Sequence, residues 1–315
     1  MAVRNETRVT EFILLGLSRN PDLQIICFAL FLMIYLLTIA GNLLILTTIY
    51  ADSHLHSPMY FFLSHLSFLD LTFSTVTVPR SLVHFLFPRK TISFSDCITQ
   101  MFFFHCIGGT ECFHLILMAY DRYVAICNPL HYTTIMNRQV CLLLVVSTWV
   151  GGFIHASGQI FPTIQLSFCG PNEIDHFFCD AHPLSVLACS STSVSEIVDM
   201  ANSGTITLSC FLVLLISYAY IISTILKIHS AEGRKKAFST CASHLLVVTV
   251  FFGPCVFIYM RPSVTFAGDK QVSIFYAIIT PFLNPFIYTL RNEVMKKSMK
   301  KLGGRFVSLI GIYKN

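Results

Sequence analysis

The sequence predicts an all-α membrane protein, a seven-transmembrane helix bundle followed by a short interfacial eighth helix. Three observations carry that prediction. The first is composition: of 315 residues, 54% are apolar and 12% are charged, with a mean hydropathy of +0.68. Soluble domains carry roughly twice that charged fraction, so this chain lacks the side chains to clothe a water-facing surface. The second is spacing: seven apolar runs are each long enough to cross about 30 Å of hydrocarbon. The third is the stretch Met118–Cys127 (MAYDRYVAIC), which closes the third run with the adjacent pair Asp121 and Arg122. Ionisable groups at membrane depth cost at least a few kcal/mol each, so they mark function.

In order, the runs fall near Leu23–Ile49, Met59–Leu86, Ile98–Tyr120, Val140–Ile164, Ile197–Leu226, Phe238–Met260 and Val272–Leu290. No cleavable signal is legible in Met1–Asn20, so the first run is expected to act as its own insertion signal. An odd number of crossings puts the two ends of the chain on opposite sides. Asn5-Glu6-Thr7 is a glycosylation sequon, usable only on the luminal side. Basic residues concentrate in the loop with Lys227, Arg234, Lys235 and Lys236 and in the tail with Arg291, Lys296, Lys297, Lys300, Lys301 and Arg305. Both observations favour N-terminus outside and C-terminus inside, against a moderate counterweight from Arg4, Arg8, Arg19, Arg89 and Lys90. The expected organisation is an outer N-terminus over 1–22, a seven-span domain over 23–290 and a cytoplasmic tail over 291–315. The net charge of +5 comes largely from those two basic segments, so it gives no case for nucleic acid; anionic lipid is the simpler partner.

The third run is the least apolar, with Gln100, His105, Glu111 and His114. Counting back from Arg122 at about 100° per residue, one stripe collects Met118, Leu115, Glu111, Gly108 and Phe104, over a rise of about 27 Å. One face of one helix thus joins the outer third of a bilayer to its inner surface. The only long loop, Gln165 to Ser195, lies outside. Cys97, Cys169, Cys179 and Cys189 are on that side, an even count that predicts two disulfides, with three pairings open from spacing. In the tail, Val294, Met295, Ser298, Met299 and Leu302 fall on one helical face flanked by lysines, which suits a helix lying in the inner interface.

Asp70, Glu111 and Asn284 sit on three different spans near mid-depth. Two carboxylates in a low dielectric need a cation, a proton or hydrogen bonds between them. A structural polar cluster and an ion or proton site both remain open. Asn284-Pro285 breaks the backbone ladder where a helix can kink.

These residues bring the chain to a family. Gly41-Asn42, Leu55–Tyr60 (LHSPMY), Leu69-Asp70, Met118–Cys127, Ser217-Tyr218, Lys236–His244 (KAFSTCASH) and Pro281–Tyr288 (PFLNPFIY) occur in this order over roughly residues 10 to 305. In that combination the sequence resembles a rhodopsin-like G-protein-coupled receptor, and within that class a tetrapod-type (class II) olfactory receptor. Arg80, where a lysine is common, and Pro254 in the sixth span are its less usual features.

The resemblance implies a receptor, not an enzyme, that binds a small, mostly neutral volatile odorant and activates a heterotrimeric stimulatory G protein to raise cAMP. It implies a plasma-membrane location, in olfactory neuron cilia. It pairs Cys97 with Cys179 and leaves Cys169 with Cys189; an oxidised Cys179 disfavours reading His176, Cys179 and Asp180 as metal ligands. No resident cofactor is expected beyond a sodium ion or a proton at Asp70, Glu111 and Asn284. The implied switch has Asp121, Arg122 and Tyr123, with Arg122 paired to Asp121 at rest and passed to Tyr218 and His244 on activation. Asn284, Pro285 and Tyr288 complete it.

The implied ligand pocket has Phe104, His105, Gly108, Gly109, Asn202, Ile206, Phe252, Cys255 and Tyr259. The outer third span carries no carboxylate, so an ammonium ligand would lose its hydration there without compensation. Asp199 on the fifth span is the one acid near that level. Tyr259 is expected to offer its ring to an apolar ligand and its hydroxyl to a ligand oxygen. A transporter or channel is disfavoured, since neither inverted repeats nor a continuous polar lining is visible.

Overall fold

A computed structural model describes residues 9–18, 20–87, 90–169, 171–260 and 268–312. Asn5 lies outside the described residues. Seven helices among those described are long and apolar enough to cross a membrane. Four of them begin at a side chain that accepts from a free backbone N–H group. In α1 (Pro21–Ala51), Asn20 accepts from Asp22 N at 2.9 Å and Pro21 occupies the first turn. Pro58 opens α2 (Pro58–Leu86) after Ser57. Ser93 caps α3 (Phe94–Cys127) by accepting from Asp96 N at 3.1 Å, and Asn137 caps α4 (Arg138–Thr163) through Val140 N at 3.0 Å.

The fifth crossing, α5, runs Ser193–Asp199, through a π turn at Met200–Gly204, into Thr205–Leu226. Ser230 caps α6 (Ala231–Tyr259). The seventh, α7, likewise runs Asp269–Ile274, through a π turn at Phe275–Ile279, into Thr280–Arg291. A last helix, α8 (Glu293–Ile312), leaves the bundle after Asn292.

The helices are longer than the apolar runs, most of all α3, because polar caps extend them past the hydrocarbon. The α3 helix packs on α2, α4 and α5 and touches α6, and its inner stripe from Phe104 through Leu115 to Arg122 is buried. By contrast α1 exposes Leu23, Ile25, Ile26, Leu30 and Met33, as expected where hydrocarbon is the solvent. Close crossings fall at glycines. A Cβ on Gly152 would overlap Thr110 and the Cys106 carbonyl, so α4 lies directly on α3. Gly41 would meet Pro285 Cβ at 3.0 Å, and beside it Asn42 Nδ2 donates to Pro281 O at 3.2 Å, tying α1 to α7. In α8, Met295 and Ser298 are buried, while Val294 is 47% exposed.

An all-α expectation misses one feature. At one end of the bundle, β1 (Glu11–Leu14) pairs antiparallel with β2 (Thr91–Ser93) and parallel with β3 (Glu173–Ile174), in the order β2-β1-β3. Phe12, Leu14, Ile92, Cys97, Met101, Phe168, Ile174 and Cys179 form a second small core beneath it. Both disulfides are at this end: Cys97 with Cys179, Cα atoms 5.4 Å apart, and Cys169 with Cys189, 5.9 Å apart. Chain segments from before α1, before α3 and before α5 thus cap the bundle together.

Candidate functional site

Three polar clusters lie along α3, and the first is under the sheet. A cavity of about 40 Å³ is lined by Phe73, Phe104, His105, Gly108, Gly109, Cys112, His155, Ser203, Ile206, Thr207, Phe251, Cys255, Tyr259 and Tyr276. That is space for a few water-sized groups, so any larger occupant must displace side chains. Of the expected pocket residues, Phe104, His105, Gly108, Gly109, Ile206, Cys255 and Tyr259 come together there. Two do not. Phe252 is fully buried and stacks on Phe211 with centroids 6.0 Å apart, while Phe251, one residue earlier, faces the cavity. The lining positions of α6 are Phe251, Cys255 and Tyr259, spaced four apart, and Phe252 lies about 100° round the helix from Phe251. Asn202 lies in the α5 π turn and holds His155: its Oδ1 is 3.1 Å from His155 Nδ1, and its Nδ2 donates to His155 O at 3.0 Å.

Above the cavity sits a carboxylate that α3 does not supply. Asp180, from the long loop and next to the Cys97–Cys179 disulfide, is 4% exposed. His105 Nε2 is 3.0 Å from its Oδ1, Ala181 N donates to the same oxygen at 2.8 Å, and Tyr259 Oη donates to Oδ2 at 3.3 Å. Burial pushes the Asp180 carboxyl up, but those bonds and the nearby histidines hold it below the ordinary carboxylate range. His176, stacked on Phe177, is pushed down to about 4 by burial. The Tyr259 hydroxyl, expected to offer itself to a ligand oxygen, donates here to Asp180. Asp199 is likewise engaged, accepting from Gln159 Nε2 at 2.6 Å.

The second cluster is at mid-bundle. Asn284 Nδ2 donates to both Asp70 oxygens, at 2.9 and 3.1 Å. Glu111 is fully buried, and both its oxygens, like Asn284 Oδ1, lack a hydrogen-bond partner. These are hard oxygen donors with unused lone pairs, a set that fits either a small cation or a proton on one carboxyl.

The third cluster ends α3. Arg122 is 5% exposed, and its Nη1 donates to Met118 O at 3.3 Å. It makes no ion pair with Asp121 among those of the described residues; Asp121 instead accepts from Tyr132 Oη at 2.7 Å. The resting pair expected from the resemblance is thus absent in this conformation, because the loop tyrosine takes the carboxylate. Tyr218 and His244 meet each other at 2.5 Å, Oη to Nδ1. Tyr123 is half-buried against the main core, and Pro285 lies against Gly41. Arg122 and Tyr288 line a cleft of about 620 Å³ with Met59, Tyr60, Leu63, Met118, Ser239 and Ser243.

Sequence reasoning missed His155, Phe73, Ser203, Thr207, Cys112, Phe251 and Tyr276 as lining residues. Spacing on α3 did signal Cys112, one turn past Gly108 and Gly109. Nothing local signals His155 or Asp180, which reach the cavity only through helix packing and loop path.

Comparison with known proteins supplies the context. The profile of the family described as "Olfactory receptor" matches residues 31–303. The chain is 55% identical over 301 residues to "Olfactory receptor 4S2" of Homo sapiens, with 96% of each chain covered. It is 55% identical over 303 residues to "Olfactory receptor 4E2" and 56% identical over 303 residues to "Olfactory receptor 4Q3", both of Homo sapiens and both with 96% of each chain covered.

Proposed function

The chain belongs to the olfactory receptor family of odorant-sensing G-protein-coupled receptors, and from that premise we propose that the cavity under the sheet is its odorant site and the Arg122 cleft its G-protein site. One observation carries the reading: α3 lines a small aromatic cavity at one end and presents a buried arginine to a much larger cleft at the other. Its membrane-crossing helices make it a multi-pass membrane protein. In this reading the sheet end faces outside and the Arg122 end the cytoplasm, in the plasma membrane of olfactory cilia. Basic residues at the inner end, such as Lys297 and Lys300, then meet anionic lipid.

The cavity walls suit small neutral volatiles: rings and aliphatic groups with a few polar atoms. The Asp180 carboxylate does not change that preference. His105, Tyr259 and the Ala181 N–H already use its oxygens, so an ammonium group would have to displace them.

Ligand binding that shifts α3 and α6 against each other would be felt at the Tyr218–His244 contact and at Arg122. The cleft of about 620 Å³ that Arg122 lines would take a helix end of a stimulatory G protein. Asp70, Glu111 and Asn284 would hold a sodium ion or share a proton between those two sites, neutralising the paired carboxylates in the resting bundle.

A cAMP screen in cells bearing the receptor tests this, against a panel of neutral volatiles, carboxylic acids and amines. Responses confined mainly to neutral volatiles are expected. Potent activation by amines alone, or receptor-dependent signalling without cAMP, would contradict it.

A further inference from the structure

The polarity of the cavity follows from the hydrogen bonds behind it. The His155 backbone carbonyl can only accept, so the Asn202 group that meets it at 3.0 Å is the amide NH2. Asn202 Oδ1 therefore faces His155 Nδ1, at 3.1 Å, and Nδ1 must carry the hydrogen. In the neutral ring that leaves Nε2 as a bare lone pair.

Asn202 and His155 are built into place. Asn202 lies in the π turn Met200–Gly204. A Cβ on Gly158 would come within 2.9 Å of Asn202 Nδ2, and a Cβ on Gly109 within 2.8 Å of His155 Cδ2. Both glycines clear room for this pair. The ring turns its carbon edge, Cδ2 with Cγ, toward Gly109, and Nε2, bonded to Cδ2, lies beside that edge. Gly109 and His155 both line the cavity.

We propose that Asn202 fixes His155 as a hydrogen-bond acceptor in this cavity, so that the site selects ligands carrying a hydroxyl hydrogen, alcohols and phenols, over matched ethers and carbonyl compounds. The inference rests on the cavity being the ligand site. A ligand hydroxyl placed against Nε2 donates to it. A carbonyl or ether oxygen there opposes one lone pair to another and leaves Nε2 unpaired. His105 has the same polarity, since its Nε2 is held by the Asp180 carboxylate. The Ser203 and Thr207 hydroxyls serve either polarity, which leaves the discrimination to the two histidines, of which His155 is the one that Asn202 fixes.

The test uses the full-length receptor purified in lipid nanodiscs, with its thermal unfolding midpoint as the readout. The probes are linear alkanols of four to eight carbons and phenol, each beside its methyl ether, with the matching aldehyde for each alkanol. Alcohols should stabilise the receptor at concentrations about tenfold lower than their partners, the effect of one hydrogen bond. In His155→Phe that ratio should fall to about twofold or less, with hydrocarbon contacts retained. Asn202→Leu, which frees the tautomer, should lower it several-fold. If His155→Phe does not fold, His155→Gln, whose amide donates as well as accepts, should still reduce the ratio. Equal or better stabilisation by ethers or aldehydes, an unchanged ratio in the His155 variants, or no stabilisation by any alcohol would each overturn the proposal. The G protein plays no part in this readout, so failure of the cAMP reading and failure of this one are separable.

Discussion

Asp180 is the residue on which the ligand end turns. It is buried and keeps three partners, of which His105 is the nearest side chain. Removing one partner of a buried polar pair costs more than removing both, because the survivor stays desolvated and unmatched. His105→Phe should therefore lower the stability of the purified receptor by about 2 kcal/mol. The triple variant His105→Phe, Tyr259→Phe, Asp180→Leu, which also removes the hydroxyl that Asp180 matches, should recover part of that loss. Thermal unfolding of the two variants decides the matter; a triple variant worse than the single one would show that His105 is there for packing alone. At this scale the sequence was only partly legible. His105 and Tyr259 each carry a polar tip on an apolar span, and the partner that satisfies both is a loop acid 75 residues from the first and 79 from the second. Hydropathy says nothing about a loop's path.

Among the elements, the seven crossings could be read from apolar length, and the caps from Asn20, Ser93 and Asn137 follow ordinary N-terminal chemistry. What periodicity could not carry was phase through irregular turns. A π turn inserts an extra residue per turn, and Asn202, which the resemblance places in the pocket, sits within one and stands behind the cavity. On α6 the lining face is Phe251, Cys255 and Tyr259, and Phe252, one residue off it, stands behind as well. The sheet was illegible for a different reason: β1 has four residues, and its partners come from two distant loops. The disulfides anchor this cap unequally. Cys97–Cys179 closes 82 residues and ties α3 to the loop that carries Asp180, whereas Cys169–Cys189 closes 20 within that loop. Chain entropy gives about 4 kcal/mol for the first and about 3 for the second. Cys97→Ser should abolish surface expression, and Cys169→Ser should reduce it less. Flow cytometry of surface-labelled receptor checks the order; normal expression of Cys97→Ser would refute the anchoring role.

For the whole molecule, the account is that α3 carries a signal between two ends that do not touch. Phe104 and Gly108 line one cavity, Glu111 holds unpaired oxygens at mid-bundle, and Met118 and Arg122 line the other cleft. The stripe that links them was visible in the sequence, because helical spacing and the Asp121-Arg122 pair are local features. The partners at its lower end were not, since Tyr132 reaches Asp121 from a loop. The most direct measurement pairs binding with signalling in Arg122→Ala. Nanodisc thermal shifts should show an activating volatile stabilising this variant within about twofold of the wild-type concentration. In cells matched for surface receptor, its cAMP response should be lost. A cAMP response that survives at equal surface density, or a ligand-induced shift that vanishes together with signalling, would contradict a helix that binds at one end and signals at the other.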